Sequence, residues 1–247
     1  MKTLYLTVDV DWANDFVFSR TVDFLEQAGV KATIFLTHET SVLDRMRNRP
    51  DFELGLHPNY RPLLTDPTNN DDIKSIFKRL RDKFPEALSV RNHCLIGGSD
   101  ISKMYADQGL THFSNLLIPF GSGIVLRAFK TSMNLISVPF GWEDDVHCSM
   151  IASGLARGWH PDSFLLAEGL KVFNFHPQHL FLNTENLKRI DFRCKSLLHS
   201  NEIKQSDLYA YINHDSENGS RIFLEKLVDQ AKNAGFRFGL IRDISVL

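Results

Sequence analysis

The sequence predicts an α/β fold in which parallel strands and crossover helices form a β/α barrel. Short apolar runs alternate with helical patterns along the 247 residues, and this alternation is typical of parallel strands joined by helices. Several of the apolar runs end in acidic, basic or imidazole side chains, as the strands of a barrel do on its catalytic face. No linker, repeat or low-complexity segment interrupts the pattern. A single domain over residues 1–247 is therefore expected.

The elements follow from apolar periodicity and from Gly and Pro punctuation. The predicted strands are 4–10, 30–36, 52–56, 88–90, 170–175 and 236–241, with strand-like segments between 110 and 139. The predicted helices lie near 22–28, 43–46, 73–80, 104–109, 187–198 and 223–234. A Pro-, Asn- and Asp-rich loop is expected over 59–70.

The composition is that of an ordinary soluble globular protein, with 23% charged and 43% apolar residues. A net charge of -2 gives no reason to expect nucleic acid as a partner. The three cysteines are too few and too scattered for a disulfide framework. No apolar run approaches the length of a membrane span. The N-terminus leads directly into the first strand, so no signal peptide and a cytoplasmic location are expected.

The first apolar run ends in Asp9 and Asp11, two carboxylates that extended backbone would place on one side. Like charges held together favour a bound divalent cation. The alternative is a solvated strand end with an aspartate as helix cap. Other predicted strands end at His57, at Arg91 with His93, and at His176.

A metal site explains these strand ends together. One Asp and two His ligands with open positions suit zinc or a similar divalent ion. Such an ion polarises a carbonyl and acidifies bound water. A second carboxylate can then accept the water proton, and a histidine can protonate the leaving group.

At these residues the sequence resembles the polysaccharide deacetylase superfamily, carbohydrate esterase family four. Thr7-Val8-Asp9-Val10-Asp11, Leu56-His57-Pro58, Arg91 and Val172-Phe173-Asn174-Phe175-His176-Pro177 are similar to its first, second, third and fifth motifs, in order, and Trp142-Glu143-Asp144-Asp145 is loosely similar to the fourth. The resemblance implies a distorted, seven-stranded β/α barrel that removes acetyl groups from sugars with a divalent metal.

The resemblance also implies roles for individual residues. It makes Asp9 the catalytic base, Arg91 the residue that orients it, and His176 the catalytic acid. It makes Asp11 and His57 metal ligands. In the family a second histidine ligand lies four residues after the first, but Arg61 occupies that position here.

Arg61 cannot bind a metal through its guanidinium, so His93 is predicted as the third ligand instead. Its spacing from Arg91 would place both side chains on one face of extended backbone. The motifs around His57 and Arg91 resemble a divergent branch that is associated with bacterial surface-polysaccharide clusters, including lipopolysaccharide biosynthesis.

Five further residues are candidate substrate contacts, each with a structural alternative. Trp142 could stack on a sugar or fill the core. Glu143 and Asp144 could bind substrate or belong to a solvated turn. His179 and Asn183 could position substrate or cap a loop.

We therefore predict a metal-dependent deacetylase that acts on an N- or O-acetylated sugar, with Asp11, His57 and His93 holding the metal, most simply zinc. The alternatives are a non-catalytic carbohydrate-binding pseudoenzyme and a metal-dependent amidohydrolase of a small cyclic amide. The sugar, the type of acetyl linkage and the oligomeric state stay open.

Overall fold

The computed structural model describes residues 2–66, 68–202 and 204–246. Its strands are β1 (Thr3–Asp9), β2 (Ala32–Leu36), β3 (Phe52–Leu56), β4 (Ser89–Val90), β5 (His112–Phe113), β6 (Phe129–Lys130), β7 (Ile136–Ser137), β8 (Trp142–Glu143), β9 (Lys171–Phe175) and β10 (Arg237–Gly239). Its α-helices are α1 (Asp15–Ala28), α2 (Pro62–Thr65), α3 (Ile73–Arg81), α4 (Ser99–Asp107), α5 (Asp144–Ala152), α6 (Asp162–Leu166), α7 (Pro177–Leu182), α8 (Phe192–His199), α9 (Gln205–Tyr209) and α10 (Ser220–Asn233). Short 3₁₀ segments cover Ser41–Arg45, His93–Leu95, Leu187–Arg189 and Ile241–Asp243.

The strands form one curled sheet in the order β6-β7-β5-β4-β3-β2-β1-β9-β8, and β10 pairs with the start of β1. All pairings are parallel except that between β6 and β7. The predicted fold class, an α/β protein with a distorted barrel, is confirmed. The resemblance implied seven strands, whereas the described residues form ten, several of them only two residues long.

The central strand is buried because its neighbours and the helices cover both faces. Leu4, Leu6 and Val8 of β1 are each at most 1% exposed. Helix α1 begins where the Asn14 side chain accepts a hydrogen bond from the Val17 backbone N–H, 2.9 Å away. It ends at Gly29, whose φ of 60° suits glycine.

The register brings the carboxyl ends of five strands together. Val8 is paired with Phe175, and Asp9 with Phe35. Leu56 lies between Leu36 and Val90. The residues that follow these positions therefore project from one edge of the sheet, where the predicted site residues lie.

Five helices were not predicted, namely α2, α5, α6, α7 and α9, and α2 lies within the segment 59–70 that was expected to be a loop. The segment near residues 43–46 is a 3₁₀ turn rather than an α-helix. The first turn of α7 begins at Pro177, which is a favoured position for proline. Within the described residues, no helix has both the length and the hydrophobicity needed to span a bilayer.

Candidate active site

Asp9 and Asp11 reach the site by different backbone paths. Strand β1 ends at Asp9, and Asp11 has a left-handed φ of 45°, followed by Trp12 at 55°. The prediction that extended backbone places the two carboxylates on one side is therefore wrong, because the backbone at Asp11 is not extended. A tight turn, held by a 3.1 Å hydrogen bond from the Trp12 N–H to Thr37 Oγ1, directs Asp11 towards the other strand ends. Such left-handed residues outside glycine are often found at functional sites.

Three potential metal ligands form a compact cluster, namely Asp11, His57 and His93. Asp11 Oδ1 lies 3.1 Å from His57 Nε2 and 3.1 Å from His93 Nδ1. One ligand atom from each residue lies within 4.8 Å of the others, a separation that one cation can bridge. His93 was expected to lie on extended backbone with Arg91, but this expectation is wrong. His93 begins a 3₁₀ turn, and its N–H donates to the Pro58 carbonyl at 3.0 Å.

The hydrogen bonds of the cluster suit a cation. His57 Nδ1 lies 2.8 Å from the Arg91 carbonyl oxygen, so Nδ1 donates, and Nε2 is the nitrogen that faces Asp11 and would bind a cation on losing its proton. Burial opposes ionisation of Asp11, but hydrogen bonds from His57 and His93 hold its pKa well below the usual range. Burial likewise lowers the pKa of His57, but the charges of Asp9 and Asp11 raise it overall. The negative charges of Asp9 and Asp11 would also attract a metal ion.

Asp9 is buried and is held by two donors. Arg91 Nη1 donates to Asp9 Oδ1 at 3.1 Å, and Asn174 Nδ2 donates to Asp9 Oδ2 at 3.0 Å. Asn174 Oδ1 in turn accepts from Arg91 Nη1 and from Thr7 Oγ1. The carboxylate is therefore fixed beside the cluster, and His57 Nε2 lies 3.9 Å from Asp9 Oδ2.

Arg91 is fully buried, and its guanidinium is satisfied on every side. It donates to the Ser114 carbonyl and hydroxyl, both at 2.8 Å. Its carbon Cζ lies 4.6 Å from the centre of the Phe35 ring and 4.2 Å from that of Phe140. Two aromatic faces and fixed acceptors leave Arg91 little freedom, so it can hold Asp9 in one orientation.

His176 is oriented by Asp144. His176 Nδ1 lies 2.7 Å from Asp144 Oδ1, and the His176 N–H donates to Asp144 Oδ2 at 3.0 Å. The Ser220 hydroxyl also donates to Asp144 Oδ2, at 2.8 Å. Burial lowers the pKa of His176, but Asp144 outweighs it and raises that pKa well above the usual value. The free nitrogen, Nε2, lies 3.7 Å from Asp11 Oδ2.

Glu143 lies beside this histidine. Its Oε1 atom is 4.0 Å from His176 Nε2 and accepts a hydrogen bond from Asn174 Nδ2 at 2.8 Å. Burial, with the nearby charge of Asp145, raises the pKa of Glu143 to about 8. Asn174 thus connects the carboxyl groups of Asp9 and Glu143 through the two hydrogens of one amide.

Of the other predicted substrate contacts, Trp142 and Asn183 lie in the protein interior, whereas His179 lines the cavity. Trp142 is buried and stacks on Phe223, with ring centres 4.1 Å apart. Asn183 is also buried. Its amide donates to three backbone carbonyls over residues 213–218, and its Oδ1 accepts from the Ile222 N–H. The contacts of Trp142 and Asn183 are therefore those of residues that pack the core and support a loop. His179 lines the site beside His176, with ring centres 5.5 Å apart.

A cavity of about 380 Å³ opens at the cluster, a volume within the usual range for small-molecule sites. It is lined by Asp11, Trp12, Arg61, His93, Asp145, His176, Gln178, His179, Leu187, Ile190, Lys195, Leu198 and His199. One wall therefore comes from the segment 187–199, which includes α8.

Several residues of this site were not predicted from the sequence. Asn174 was quoted only as part of a motif, although a polar residue within the apolar run of β9 could have indicated a buried hydrogen-bonding role. Asp144 was predicted as a substrate contact, but its carboxylate is fully buried against His176 and Ser220. The contributions of Gln178 and Lys195 gave no sequence signal, because they depend on how α7 and α8 pack.

Comparison with known proteins identifies the family. A model of WbmS-like polysaccharide deacetylases matches residues 6–192. The chain belongs to this polysaccharide deacetylase family. A search of curated proteins gave no significant match.

Solved structures agree with this assignment. One from Bordetella bronchiseptica, described as a candidate polysaccharide deacetylase involved in O-antigen biosynthesis, is 37% identical, with a TM-score of 0.80 over 92% of this chain and 90% of that one. A peptidoglycan N-acetylglucosamine deacetylase, Bc1960, is 17% identical and superposes with a TM-score of 0.52 over 97% of this chain and 86% of its own. The second structure supports the fold alone.

Proposed function

We propose that this member of the polysaccharide deacetylase family is a metal-dependent hydrolase that removes an N- or O-acetyl group from a sugar or polysaccharide precursor. The 37% identical relative is described as involved in O-antigen biosynthesis. An acetylated sugar of a surface polysaccharide is therefore the proposed substrate.

One observation carries the proposal. Asp11 Oδ1 lies 3.1 Å from a ring nitrogen of each of two histidines, and Asp11 Oδ2 lies 3.7 Å from His176 Nε2. Asp9 lies beside the same cluster, 3.9 Å from His57 Nε2. A cation position, a base and an acid thus lie together at the carboxyl ends of the strands, as metal-assisted hydrolysis requires.

The donor set fits a divalent ion held by Asp11, His57 and His93. One carboxylate and two imidazoles leave open positions and suit zinc. When bound there, such an ion would polarise the acetyl carbonyl and acidify water.

Asp9 and His176 move the protons in this proposal. Asp9 accepts a proton from the attacking water, while Arg91 and Asn174 keep its carboxylate in place. His176 donates from Nε2 to the departing nitrogen or oxygen, because its Nδ1 is bonded to Asp144. Mutational experience assigns such general acids and bases roughly 10² to 10⁴ in rate.

Glu143 is the proposed substrate contact nearest the leaving group, because its carboxyl lies 4.0 Å from His176 Nε2. Its pKa of about 8 keeps it largely protonated at neutral pH, so it can donate a hydrogen bond to the sugar. His179 is a second proposed contact. We assign Asp144 to the orientation of His176, and Trp142 and Asn183 to packing and loop support.

The test is acetate release by zinc-loaded protein from N- and O-acetylated sugars. Release that stops with chelator, returns with zinc and is lost in Asp9→Asn supports the proposal. Sugar binding without acetate release would instead identify a carbohydrate-binding pseudoenzyme. Hydrolysis of only small cyclic amides would identify the amidohydrolase alternative.

A further inference from the structure

Two permanent cations line the cavity that contains the metal cluster. They are Arg61, which directly precedes α2, and Lys195, which lies on α8. Within residues 2–66, 68–202 and 204–246, neither cation has a carboxylate oxygen within 4.0 Å. Both are therefore available to an anion in the cavity.

The charge of Arg61 lies next to the predicted ligand loop. Arg61 and His93 line the same cavity. The Arg61 guanidinium also lies next to Cys94, which directly follows His93. Arg61 thus stands beside the cluster, although its guanidinium cannot bind a metal ion.

Lys195 lies on α8 and lines the same cavity as Arg61. Burial lowers the pKa of His199, Lys195 lowers it further, and Asp11 acts on the same ring in the other direction. Burial also lowers the pKa of His179. Both shifts disfavour the charged imidazolium, so the permanent positive charge of this wall is that of Lys195.

The acidic residues of the cavity do not cancel these cations. Asp11 is bonded to His57 and His93. Asp145 is the other carboxylate in the lining, and its Oδ1 accepts from the Val146 N–H. Among the described residues of the lining, two permanent cations thus face one carboxylate, that of Asp145, which has no basic side chain within 4.0 Å. This leaves a positive excess, and a concave site focuses such a field.

We propose that the substrate carries an anionic group, either a sugar carboxylate or a phosphate, which Arg61 and Lys195 bind beside the metal cluster. This inference rests on the proposed function and narrows its substrate class. The guanidinium fork matches carboxylate and phosphate oxygens, and an ammonium supplies a second point charge. Apolar side chains of the same lining, from Trp12 and Leu187, can contact the sugar ring.

The test measures the affinity for sugars in a variant that is expected not to turn them over, so the result does not depend on catalysis. Zinc-loaded Asp9→Asn protein is titrated calorimetrically with N-acetylglucosamine, its 1-phosphate and the corresponding N-acetylated uronic acid. We expect at least one anionic sugar to bind about tenfold more tightly than the neutral one, the scale of a charge-assisted contact. The tighter of the two anionic probes identifies the source of the charge.

Substitutions then assign the preference to residues. Arg61→Gln and Lys195→Met, each in the Asp9→Asn background, should each reduce the preference for the anionic sugar about fivefold or more. Arg193→Met is the matched control, since Arg193 lies on the same helix but outside the cavity lining. It should keep the preference.

Three results overturn the inference: equal binding of the three sugars, no binding of any of them, or a preference that survives both substitutions. Failure of the proposed function looks different. In that case the zinc-loaded wild-type protein releases no acetate from any of the three sugars, whatever their relative affinities.

Discussion

His93 Nδ1 lies 3.1 Å from Asp11 Oδ1, although 82 residues separate the two in sequence. His57 Nε2 lies at the same distance from the same oxygen. The two imidazoles thus converge on one carboxylate oxygen, while Arg61 lines the cavity but offers no lone pair. This arrangement is what a replacement of the usual second histidine ligand requires.

Removal of His93 should weaken the metal site. His93→Ala takes away one of the three proposed protein ligands, so the affinity of the protein for zinc should fall at least about tenfold, as loss of even a supporting residue can cost 10 to 100-fold. Competition with a chromophoric chelator measures the affinity. Arg61→Ala is the control and should leave it nearly intact. The opposite pattern, with Arg61→Ala the damaging change, would remove His93 from the ligand set.

Asp9→Asn should retain zinc and lose turnover. Asparagine keeps the shape of the side chain and can still meet one donor, but it cannot accept the water proton. The expected loss in kcat is about 10² to 10⁴. Parallel metal analysis checks that the site is intact. A variant with near wild-type turnover would exclude Asp9 as the base.

His176→Ala should be sensitive to the leaving group. A general acid matters most for an amine or alkoxide that cannot depart without a proton, so a loss of about 10² to 10⁴ is expected on acetylated sugars. The loss should be much smaller on an activated acetyl ester such as 4-nitrophenyl acetate. Equal losses on the two substrates would leave His176 only a positioning or structural role.

Asp144→Asn should move the alkaline limit of activity to lower pH. The acid works only when His176 is protonated, so activity declines as pH rises through the His176 pKa. Asp144 raises that pKa against the effect of burial, and removal of its charge should lower it. The pH profile of kcat for both proteins measures the shift. Ser220→Ala, which removes only one hydrogen bond to Asp144, should shift the limit less. Coincident profiles for wild type and Asp144→Asn would contradict the pairing.

Trp142→Ala should act on stability first. The indole stacks on Phe223 within the core and is only 4% exposed. Truncation of a buried aromatic costs about 3 to 5 kcal/mol of the free energy of unfolding. Chemical denaturation measures this cost. Trp12→Ala, at a half-buried position of the cavity, should cost clearly less. A stable Trp142→Ala protein with weakened sugar binding would instead restore Trp142 as a substrate contact.

The sequence was sufficient for the fold class and for the residues at the strand ends. Apolar runs that end in Asp9, His57 and His176 are readable because the strand period and the chemistry coincide. The three cluster residues were named in this way, but the reason given for Asp11 and His93 was wrong. Both lie on tight turns, and a left-handed φ at Asp11 has no sequence signature as clear as a glycine.

The rest depends on tertiary packing. Asp144 was predicted as a substrate contact because it lies in the stretch that is loosely similar to the fourth motif, and only the register of β8 beside β9 brings it to His176. Asn174 connects Asp9 to Glu143 across two strands, which no local pattern reveals. Lys195 reaches the cavity through the placement of α8 after a 3₁₀ turn and a loop.

We predict that Asp11, His57 and His93 hold the metal, and anomalous scattering at the zinc edge from crystals of never-chelated protein would locate the ion. One peak per chain is expected within bonding distance of Asp11, His57 Nε2 and His93 Nδ1, and no peak there in His57→Ala. Asp144, His176 and His179 form a second group of possible ligands with atoms within 4.8 Å of one another. A peak among those residues, or full occupancy in His57→Ala, would show that the proposed ligand set is wrong.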